Sequence, residues 1–421
     1  MVYERNRRKV EKNIKFIEGG VVAPQGFLAA GVHCGLRKNK VKKDLAMIFS
    51  KEGRQCAAAA VYTQNKVAGA PITVTKKHLE NGFAKALICN SGIANTASPG
   101  GLEKALAMCD LTAAVLGVEP GDVIVASTGV IGSVLPIEPI QNALPALKEA
   151  LGDTNEAGED AAIAIMTTDT RKKEYAVEFL LDGRTAKIGL IAKGSGMIEP
   201  NMATMLCFVT TDASISPEML QEALNEAVSD TFNMVSIDGD TSTNDMVSIM
   251  ASGLCENGRI TKKDDAYNTF KEALFVICEE VSKAIAFDGE GATKLLECRI
   301  LNADTKQNAK KLAKSVIKSS LVKSMMFGAD ANGGRVLCAL GYAGVEFDPG
   351  KVNAKFASAS GEIVFCENGG IAAIDEEKAK QILSREIIGI IIDMQSGDKN
   401  ATAWGCDLSY EYVRINGDYR S

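Results

Sequence analysis

The chain has 421 residues and a mass of 44.6 kDa, which suggests two or three domains or one large body with two lobes. A hydrophobic content of 46%, a charged content of 24% and 39 glycines are typical of a soluble α/β or α+β protein. The net charge of −6 argues against a nucleic-acid surface, and no stretch approaches the eighteen apolar residues of a membrane span. Eleven cysteines without a C-x-x-C pair predict reduced thiols in a cytoplasmic protein.

Short strands and turns dominate the first part of the chain, after a basic run at residues 5–9 that we interpret as a solvated arm. Apolar, β-prone runs predict strands at 26–33, 45–50, 57–62, 86–90 and 123–126. Residues 71–74 are expected to precede a short helix at 78–81 and not to belong to it. Apolar residues at three- and four-residue spacing predict helices at 102–116, 137–151 and 157–166. Asp182-Gly183 between two β-prone runs, 175–180 and 185–191, predicts a hairpin.

The second half mixes helices and strands without a regular alternation. Strands are expected at 204–211, 234–237, 246–251, 299–302, 387–392 and 402–407, and helices at 216–228, 261–286, 306–317 and 321–327. Residues 336–341 fit either a helix or a strand. The irregular order favours layered α+β packing over a doubly wound sheet.

A loop rich in glycine, Gly194 to Asn201, precedes the apolar run TMLCFVTT that begins at Thr204. If the chain is cut before Thr204, that residue gains an α-amine with a pKa of about 7.7 to 8.0, which can act as the base for its own hydroxyl. The chain offers few other bases, because His33 and His78 are its two histidines. The alternative is an ordinary turn before a strand.

The fourteen residues from Lys193 to Leu206, KGSGMIEPNMATML, resemble the self-processing segment of the ornithine acetyltransferases of arginine biosynthesis. Those enzymes cleave themselves between Ala and Thr. The resemblance therefore implies cleavage between Ala203 and Thr204. It implies an α chain of 19–203 after an N-terminal extension of 1–18, a β chain of 204–421, and an α2β2 assembly.

The resemblance also implies a fold and an activity. The fold is a layered α/β sandwich of the self-processing N-terminal-threonine acyltransferase type, of the α+β class, with a smaller C-terminal α/β lobe from about residue 287. The activity is transfer of an acetyl group from N2-acetylornithine to glutamate through an acetyl-threonine, by a ping-pong mechanism without a metal or organic cofactor. Some members also use acetyl-CoA as donor, and the residues leave that choice open for this chain.

Ser127-Thr128-Gly129 follows a predicted strand, where backbone N–H groups are unpaired and a hydroxyl can face a cleft. Two such donors can stabilise the oxyanion of acyl transfer, although strand-end turns of this composition are common. The resemblance assigns the Thr128 hydroxyl and the Gly129 amide to the oxyanion hole.

The resemblance implies a substrate-binding set as well. Its members are Thr167, Lys193, Thr204, Glu290, Asn416 and Ser421. Lys193 would bind an α-carboxylate, and Glu290 would bind an α-amine. Without the resemblance, the polar C-terminus that holds Asn416 and Ser421 would be interpreted as a frayed tail.

The chain departs from the family's usual residues at Ile93, where Asn is expected, and at Ala331 and Gly333, where Pro and Trp are expected. These changes affect either the shape of the pocket, and with it the choice of acyl acceptor, or an assembly interface.

Asp238 to Asp245, DGDTSTND, is similar to the nucleophile loop of haloacid-dehalogenase phosphatases, but Ser242 departs from that pattern. We interpret it as a turn rich in side-chain hydrogen bonds. Three other functions compete with acetyl transfer: an N-terminal-threonine amidase or aminopeptidase, a magnesium-dependent phosphatase built on Asp238 and Asp240, and a non-catalytic relative.

Overall fold

The structure is a computed structural model that describes residues 14–37, 39, 41–199 and 205–418. Its strands are β1 (Ile14–Ile17), β2 (Phe27–Val32), β3 (Leu45–Ser50), β4 (Cys56–Tyr62), β5 (Phe83–Ala84), β6 (Ala86–Ile93), β7 (Val123–Val130), β8 (Lys173–Leu181), β9 (Arg184–Lys193), β10 (Leu206–Thr211), β11 (Val235–Ser236), β12 (Met246–Ala251), β13 (Leu295–Ala303), β14 (Asn353–Ser358), β15 (Gly361–Glu367), β16 (Gly370–Ile371), β17 (Ile387–Asp393) and β18 (Lys399–Cys406).

The helices are α1 (Ala70–His78), α2 (Gly101–Leu116), α3 (Glu138–Glu149), α4 (Asn155–Ile165), α5 (Pro217–Asp230), α6 (Asp265–Phe287), α7 (Lys306–Lys318), α8 (Ser320–Phe327), α9 (Gly333–Gly341), α10 (Glu376–Leu383) and α11 (Tyr410–Gly417). None of the helices in the described part of the chain has the length and apolar character needed to cross a membrane.

Two sheets face each other across a shared core. One has the order β1-β8-β9-β10-β12-β4-β5, and the other has the order β2-β3-β6-β7. Phe27 and Ile48 of the smaller sheet and Phe208 and Met250 of the larger sheet belong to the same buried cluster, together with residues of α4. Helices α2 and α3 cover the outer face of the smaller sheet, while α5 and α6 cover that of the larger sheet. This arrangement is the layered α+β sandwich expected from the sequence.

A third sheet, in the order β11-β18-β13-β17-β14-β15-β16, takes its strands from the second half of the chain. Its buried residues, such as Ile300 and Ile390, are continuous with the core beneath α6. The lobe expected from about residue 287 would include every strand of this sheet except β11. Helix α6 therefore lies between the larger central sheet and the third sheet.

Local signals predicted several elements correctly. The hairpin at Asp182-Gly183 forms between β8 and β9, with Leu181 opposite Arg184. The predicted helix after Ser216 begins at Pro217, and the Ser216 side chain accepts a hydrogen bond from the backbone N–H of Met219. The ambiguous run at 336–341 is helical, as part of α9.

Other local predictions were wrong. Residues 71–74 belong to α1 and not to a run before it, because Pro71 occupies the first turn of that helix, where its missing N–H costs nothing. No helix was predicted near the C-terminus, but α11 begins after Ser409 and contains Asn416. Residues 14–17 of the expected extension pair with β8 as an edge strand, while residues 1–13, including the basic run, lie outside the described residues.

Candidate active site

Thr128 and Gly129 lie near the carboxyl end of β7, next to the parallel strand β6. In this register Gly92 stands opposite Gly129. A Cβ built on Gly129 would lie 2.2 Å from the backbone carbon of Gly92, and Gly129 has a φ of +130°. Both constraints require glycine here, because the two backbones approach too closely for a side chain. The position predicted for an oxyanion hole is therefore a site of close backbone approach.

Lys193 is the last residue of β9 and reaches across to this strand end. Its Nζ donates a hydrogen bond of 3.1 Å to the Thr128 hydroxyl oxygen. Removal from water lowers the pKa of Lys193, against the raising effect of the nearby Asp169 and Asp245 carboxylates. A lysine that donates to the Thr128 oxygen leaves the Thr128 hydroxyl proton available for another acceptor.

A buried charge network supports the loop after Lys193. The Asp169 carboxylate accepts the Gly194 N–H at 2.7 Å and forms an ion pair of 2.8 Å with Lys173. Lys173 also pairs with Asp288 at 2.6 Å. Burial raises the pKa of Asp169, but the charges of Lys173 and Lys193 outweigh this effect and hold the pKa at about 2. Asp169 therefore stays ionised and keeps its bond to the loop.

Glu290 lies beyond the end of α6, on the other side of the loop. Its backbone N–H donates to the Ser195 carbonyl at 2.9 Å, and its Oε2 accepts from Asn416 Nδ2 at 2.8 Å. A Cβ on Gly196 would lie 2.3 to 2.4 Å from the Glu290 carboxyl group. The glycine allows this carboxylate to lie directly over the loop.

These side chains line one cavity of about 330 Å³. The six predicted site residues that the structure describes all contribute to its wall: Thr128, Gly129, Thr167, Lys193, Glu290 and Asn416. Ala203, Thr204 and Ser421 lie outside the described residues. Long-range folding thus brings together residues that are up to 288 positions apart in the chain.

Sequence reasoning missed part of the wall. Ser242, Thr243 and Asn244 line the cavity, together with Ala94, Val130, Ile131, Thr168, Gly196 and Met197. The sequence predicts a turn rich in side-chain hydrogen bonds for this segment, and the structure shows such bonds there. The signal for a further role was the position of this polar run between an apolar run and a predicted strand, but nothing local showed what it faces.

Asn244 joins three parts of this wall. Its Nδ2 donates to the carbonyl oxygens of Ala94, at 2.5 Å, and Ser127, at 2.9 Å. Its Oδ1 accepts from the hydroxyls of Thr96 and Thr243. Because Ser127 immediately precedes Thr128, Asn244 ties the strand end of the candidate oxyanion hole to the neighbouring turn.

The departures at Ala331 and Gly333 lie away from this wall. Both residues are buried, and a Cβ on Gly333 would lie 2.3 Å from the Phe365 ring. Phe365 stacks on Phe356 in the third sheet, with ring centroids 4.2 Å apart. Gly333 therefore packs against the third sheet, and neither residue is among the described residues that line the cavity. Ile93 is also absent from the lining, although its neighbour Ala94 is part of it.

A larger cleft of about 630 Å³ lies beside α6 and Trp404. None of the predicted site residues that the structure describes lines it. Several of its cations pair with acids, as in Lys283–Glu279 and Arg299–Glu297, whereas Arg171 lies over the Phe287 ring. Volume alone therefore does not identify the functional cavity.

The fold and the cavity define a class of protein: an α+β sandwich whose polar cavity lies at the carboxyl ends of β7 and β9 and holds both a lysine and a glutamate. The ArgJ family matches residues 28–421. The chain is 45% identical over 409 residues to the arginine biosynthesis bifunctional protein ArgJ of Caldanaerobacter subterraneus, covering 97% of this chain and 100% of that protein. It is 47% identical over 398 residues to arginine biosynthesis bifunctional protein ArgJ 1 of Clostridium acetobutylicum, covering 94% of this chain and 96% of that protein.

Among solved structures, one chain of the arginine biosynthesis bifunctional protein from Bacillus halodurans is 43% identical, with a TM-score of 0.48. The match covers 50% of this chain and 97% of that chain. On the family match and the two relatives, this chain belongs to the ArgJ family.

Proposed function

We propose that the protein is a self-cleaving acetyltransferase that moves an acetyl group from N2-acetylornithine to glutamate. The observation that supports it most directly is the convergence of Thr128, Gly129, Lys193 and Glu290 on one cavity, in a chain of the ArgJ family. Water would add across the Ala203–Thr204 peptide bond, giving chains of 1–203 and 204–421. The two chains would stay together, assemble as α2β2 and work in the cytoplasm.

In the first half-reaction the Thr204 hydroxyl oxygen attacks the acetyl carbonyl carbon, and the Thr204 α-amine takes the hydroxyl proton. The Thr128 hydroxyl and the Gly129 N–H stabilise the oxyanion. The bond between the carbonyl carbon and the α-nitrogen of ornithine then breaks. That nitrogen takes the proton and leaves as an amine, and the acetyl group stays on Thr204 as an ester.

In the second half-reaction the α-amine of glutamate attacks the acetyl ester. N-acetylglutamate leaves, and its former amine proton returns to the Thr204 oxygen through the Thr204 α-amine. The same oxyanion donors serve both halves, because the oxyanion forms at the same carbonyl group.

The charges of the cavity suit the two amino acids. Lys193 would bind the α-carboxylate of each substrate, with its Nζ beside the Thr128 hydroxyl. Glu290, held by Asn416, would bind the amine that departs with ornithine and the amine that arrives with glutamate. Thr167 and Ser421 would complete the binding set. Since both substrates share the α-carboxylate, Lys193 cannot distinguish them.

A donor–acceptor matrix tests this proposal. Acetylornithine and acetyl-CoA are each offered with glutamate, ornithine, other amino acids or water, and the acetylated products are measured by mass spectrometry. Acetyl-CoA is included because the relatives are named bifunctional proteins. We expect transfer from acetylornithine to glutamate to be the fastest reaction, with parallel double-reciprocal lines.

Other outcomes contradict the proposal in different ways. Water as the best acceptor would indicate an amidase or aminopeptidase. Intersecting lines would indicate direct transfer in a ternary complex. Cleaved protein without any acyl transfer would indicate a non-catalytic relative.

A further inference from the structure

The three residues Met197 to Glu199, which we call the upstream segment, end four residues before Ala203. They are bound by the turn at Asp238–Thr241. The Asp238 carboxylate accepts the Met197 N–H at 2.6 Å on one oxygen and the Ile198 N–H at 2.8 Å on the other. The Glu199 N–H donates to the Asp240 carbonyl at 2.9 Å. Every backbone N–H of the upstream segment is thus bonded to this turn.

The carbonyl side and the side chain of the upstream segment are held as well. The Ile198 carbonyl accepts the Ile237 N–H at 2.7 Å, and the Glu199 carbonyl accepts the Thr241 hydroxyl at 2.9 Å. The Glu199 carboxylate accepts the Ser236 hydroxyl at 2.8 Å. Both the N–H groups and the carbonyl groups of Ile198 and Glu199 are therefore hydrogen-bonded.

The backbone conformation of Met197 indicates that contacts with the rest of the protein hold the upstream segment. Its φ is +57°, a left-handed conformation that residues other than glycine rarely adopt. Such a conformation persists where surrounding contacts hold it, and the Asp238 carboxylate provides one of them directly. Gly239 has a φ of +86°, which lets the turn fold back so that the Asp240 N–H also reaches the Asp238 carboxylate at 3.2 Å.

The chain is anchored on the downstream side too. The Met205 carbonyl accepts the Met246 N–H at 2.9 Å, and Leu206 begins β10 opposite Lys193. In the sequence, the Ala203–Thr204 bond therefore falls between two residues whose backbones are bound, Glu199 and Met205.

We propose that Asp238 is a positioning residue for self-cleavage, because its carboxylate fixes the upstream segment that leads to the Ala203–Thr204 bond. The inference rests on the proposed self-cleavage and adds a residue to it. A carboxylate can hold this segment because each of its oxygens accepts a different backbone N–H. An asparagine amide has one accepting oxygen, and its NH₂ group would face the second backbone N–H, which is also a donor. Asp238 makes no attack and takes no proton in this role.

The test compares Asp238→Asn with Asp240→Asn. The two substitutions are chemically identical and lie in the same turn, but Asp240 is exposed and its contact with the upstream segment uses its backbone carbonyl. Full-length precursor is made in a cell-free pulse, and its conversion to two fragments is followed by intact mass. We expect Asp238→Asn to slow conversion roughly 10- to 100-fold, the range for a misplaced reacting group, and Asp240→Asn to cleave at the wild-type rate.

Two further variants keep the test independent of folding. Thr241→Val removes the hydroxyl that binds the Glu199 carbonyl and leaves the carboxylate intact, so it should slow cleavage by a smaller factor. Tyr412→Phe removes a hydroxyl of helix α11 near the Asp238 carboxylate but no hydrogen bond of the upstream segment, so it should cleave normally. Melting temperatures are measured on every precursor that is blocked by Thr204→Ala, to separate unfolding from slow cleavage.

The outcomes separate the two proposals. If the wild type and Asp238→Asn both cleave at the same rate, the positioning role is overturned and self-cleavage is not. The positioning role is also overturned if two results occur together: the blocked Asp238→Asn precursor is unfolded, and Thr241→Val cleaves at the wild-type rate. Wild type that stays intact and transfers acetyl groups overturns self-cleavage itself.

Discussion

The two cavities of the molecule differ in what their charged side chains bind. In the larger cleft, Lys283 pairs with Glu279 at 2.9 Å and Lys306 pairs with Asp230 at 3.4 Å. In the smaller cavity, the hydrogen bonds of Lys193 and Glu290 go to a neutral hydroxyl and a neutral amide. The smaller cavity therefore keeps charge for a ligand, and the larger cleft uses its charge within the protein.

The buried network of Asp169, Lys173 and Asp288 lies between the two regions. Lys173 and Asp288 line the larger cleft, while Asp169 binds the loop that follows Lys193. The network thus holds the backbone of the loop next to Lys193. The substitutions below should have large effects in the smaller cavity and small effects beside the larger cleft.

The largest effect is expected for Thr204→Ala, which removes both the nucleophile and, by preventing cleavage, its α-amine base. The protein should remain one chain, and kcat should fall by about 10⁴-fold or more, as for loss of other catalytic nucleophiles. Intact mass and steady-state transfer measure the two effects. Thr185→Val, on the exposed end of β9, is the control, and a cleaved or active Thr204→Ala protein would contradict the mechanism.

Thr128→Ala should lower kcat by about 10²- to 10³-fold, because one oxyanion donor is lost. KM should change little if the hydroxyl acts mainly in the transition state. Thr128→Ser keeps the hydroxyl and should recover most of the rate. Equal losses for Ala and Ser would show that the methyl group, and not the hydroxyl, is what the site needs.

Lys193→Met should raise KM for both amino acids by roughly 10- to 100-fold, since each loses a charged partner worth about 1.5 to 3 kcal/mol. Burial lowers the pKa of Lys193 below its ordinary value of 10.5, so its charge is lost at a lower pH than that of an exposed lysine as the pH rises. KM for wild type should therefore rise on the alkaline side. Lys193→Arg should move this rise to higher pH, and an unshifted profile would assign the titration to another group.

Gly333→Ala should lower the free energy of unfolding by about 1 to 3 kcal/mol, because the new methyl group overlaps the Phe365 ring. Transfer per folded molecule should be unchanged, since Gly333 does not line the smaller cavity. Gly341→Ala, at the other end of α9 with open space around its Cβ position, is the control. A change in acceptor preference with Gly333→Ala would show that this departure does affect the pocket.

The smallest effect is expected for Lys283→Met, the counterpart of Lys193→Met beside the larger cleft. Its ion pair with Glu279 is one quarter exposed, so its loss should cost no more than about 1 kcal/mol in a chemical unfolding measurement. KM and kcat should stay within about twofold of wild type. A loss of transfer as large as that of Lys193→Met would show that the larger cleft takes part in the function.

Much of the local structure could be predicted because its causes are local. The β8–β9 hairpin follows from a turn dipeptide between two β-prone runs, and helix α2 ends where Gly117 adopts a φ of +74°. Helix α11 escaped prediction since its eight residues are too few to show a clear apolar period and none of them is buried, although Ser409 caps its first turn. Residues 71–74 were misjudged because their apolar composition suits either a strand or a helix.

Periodicity and composition were enough to predict the class of fold, and resemblance was enough to predict the self-processing segment from Lys193 to Leu206 and the residues of the site. Which of these residues meet depends on long-range packing. Thr128 and Lys193 come within 3.1 Å because β7 and β9 end on the same side of two facing sheets, and Glu290 meets Asn416 because α6 and α11 both end above the loop. The hydrogen bond between Asp238 and Met197 is another long-range contact of this kind. The two residues are 41 positions apart, so no local propensity could predict that they meet.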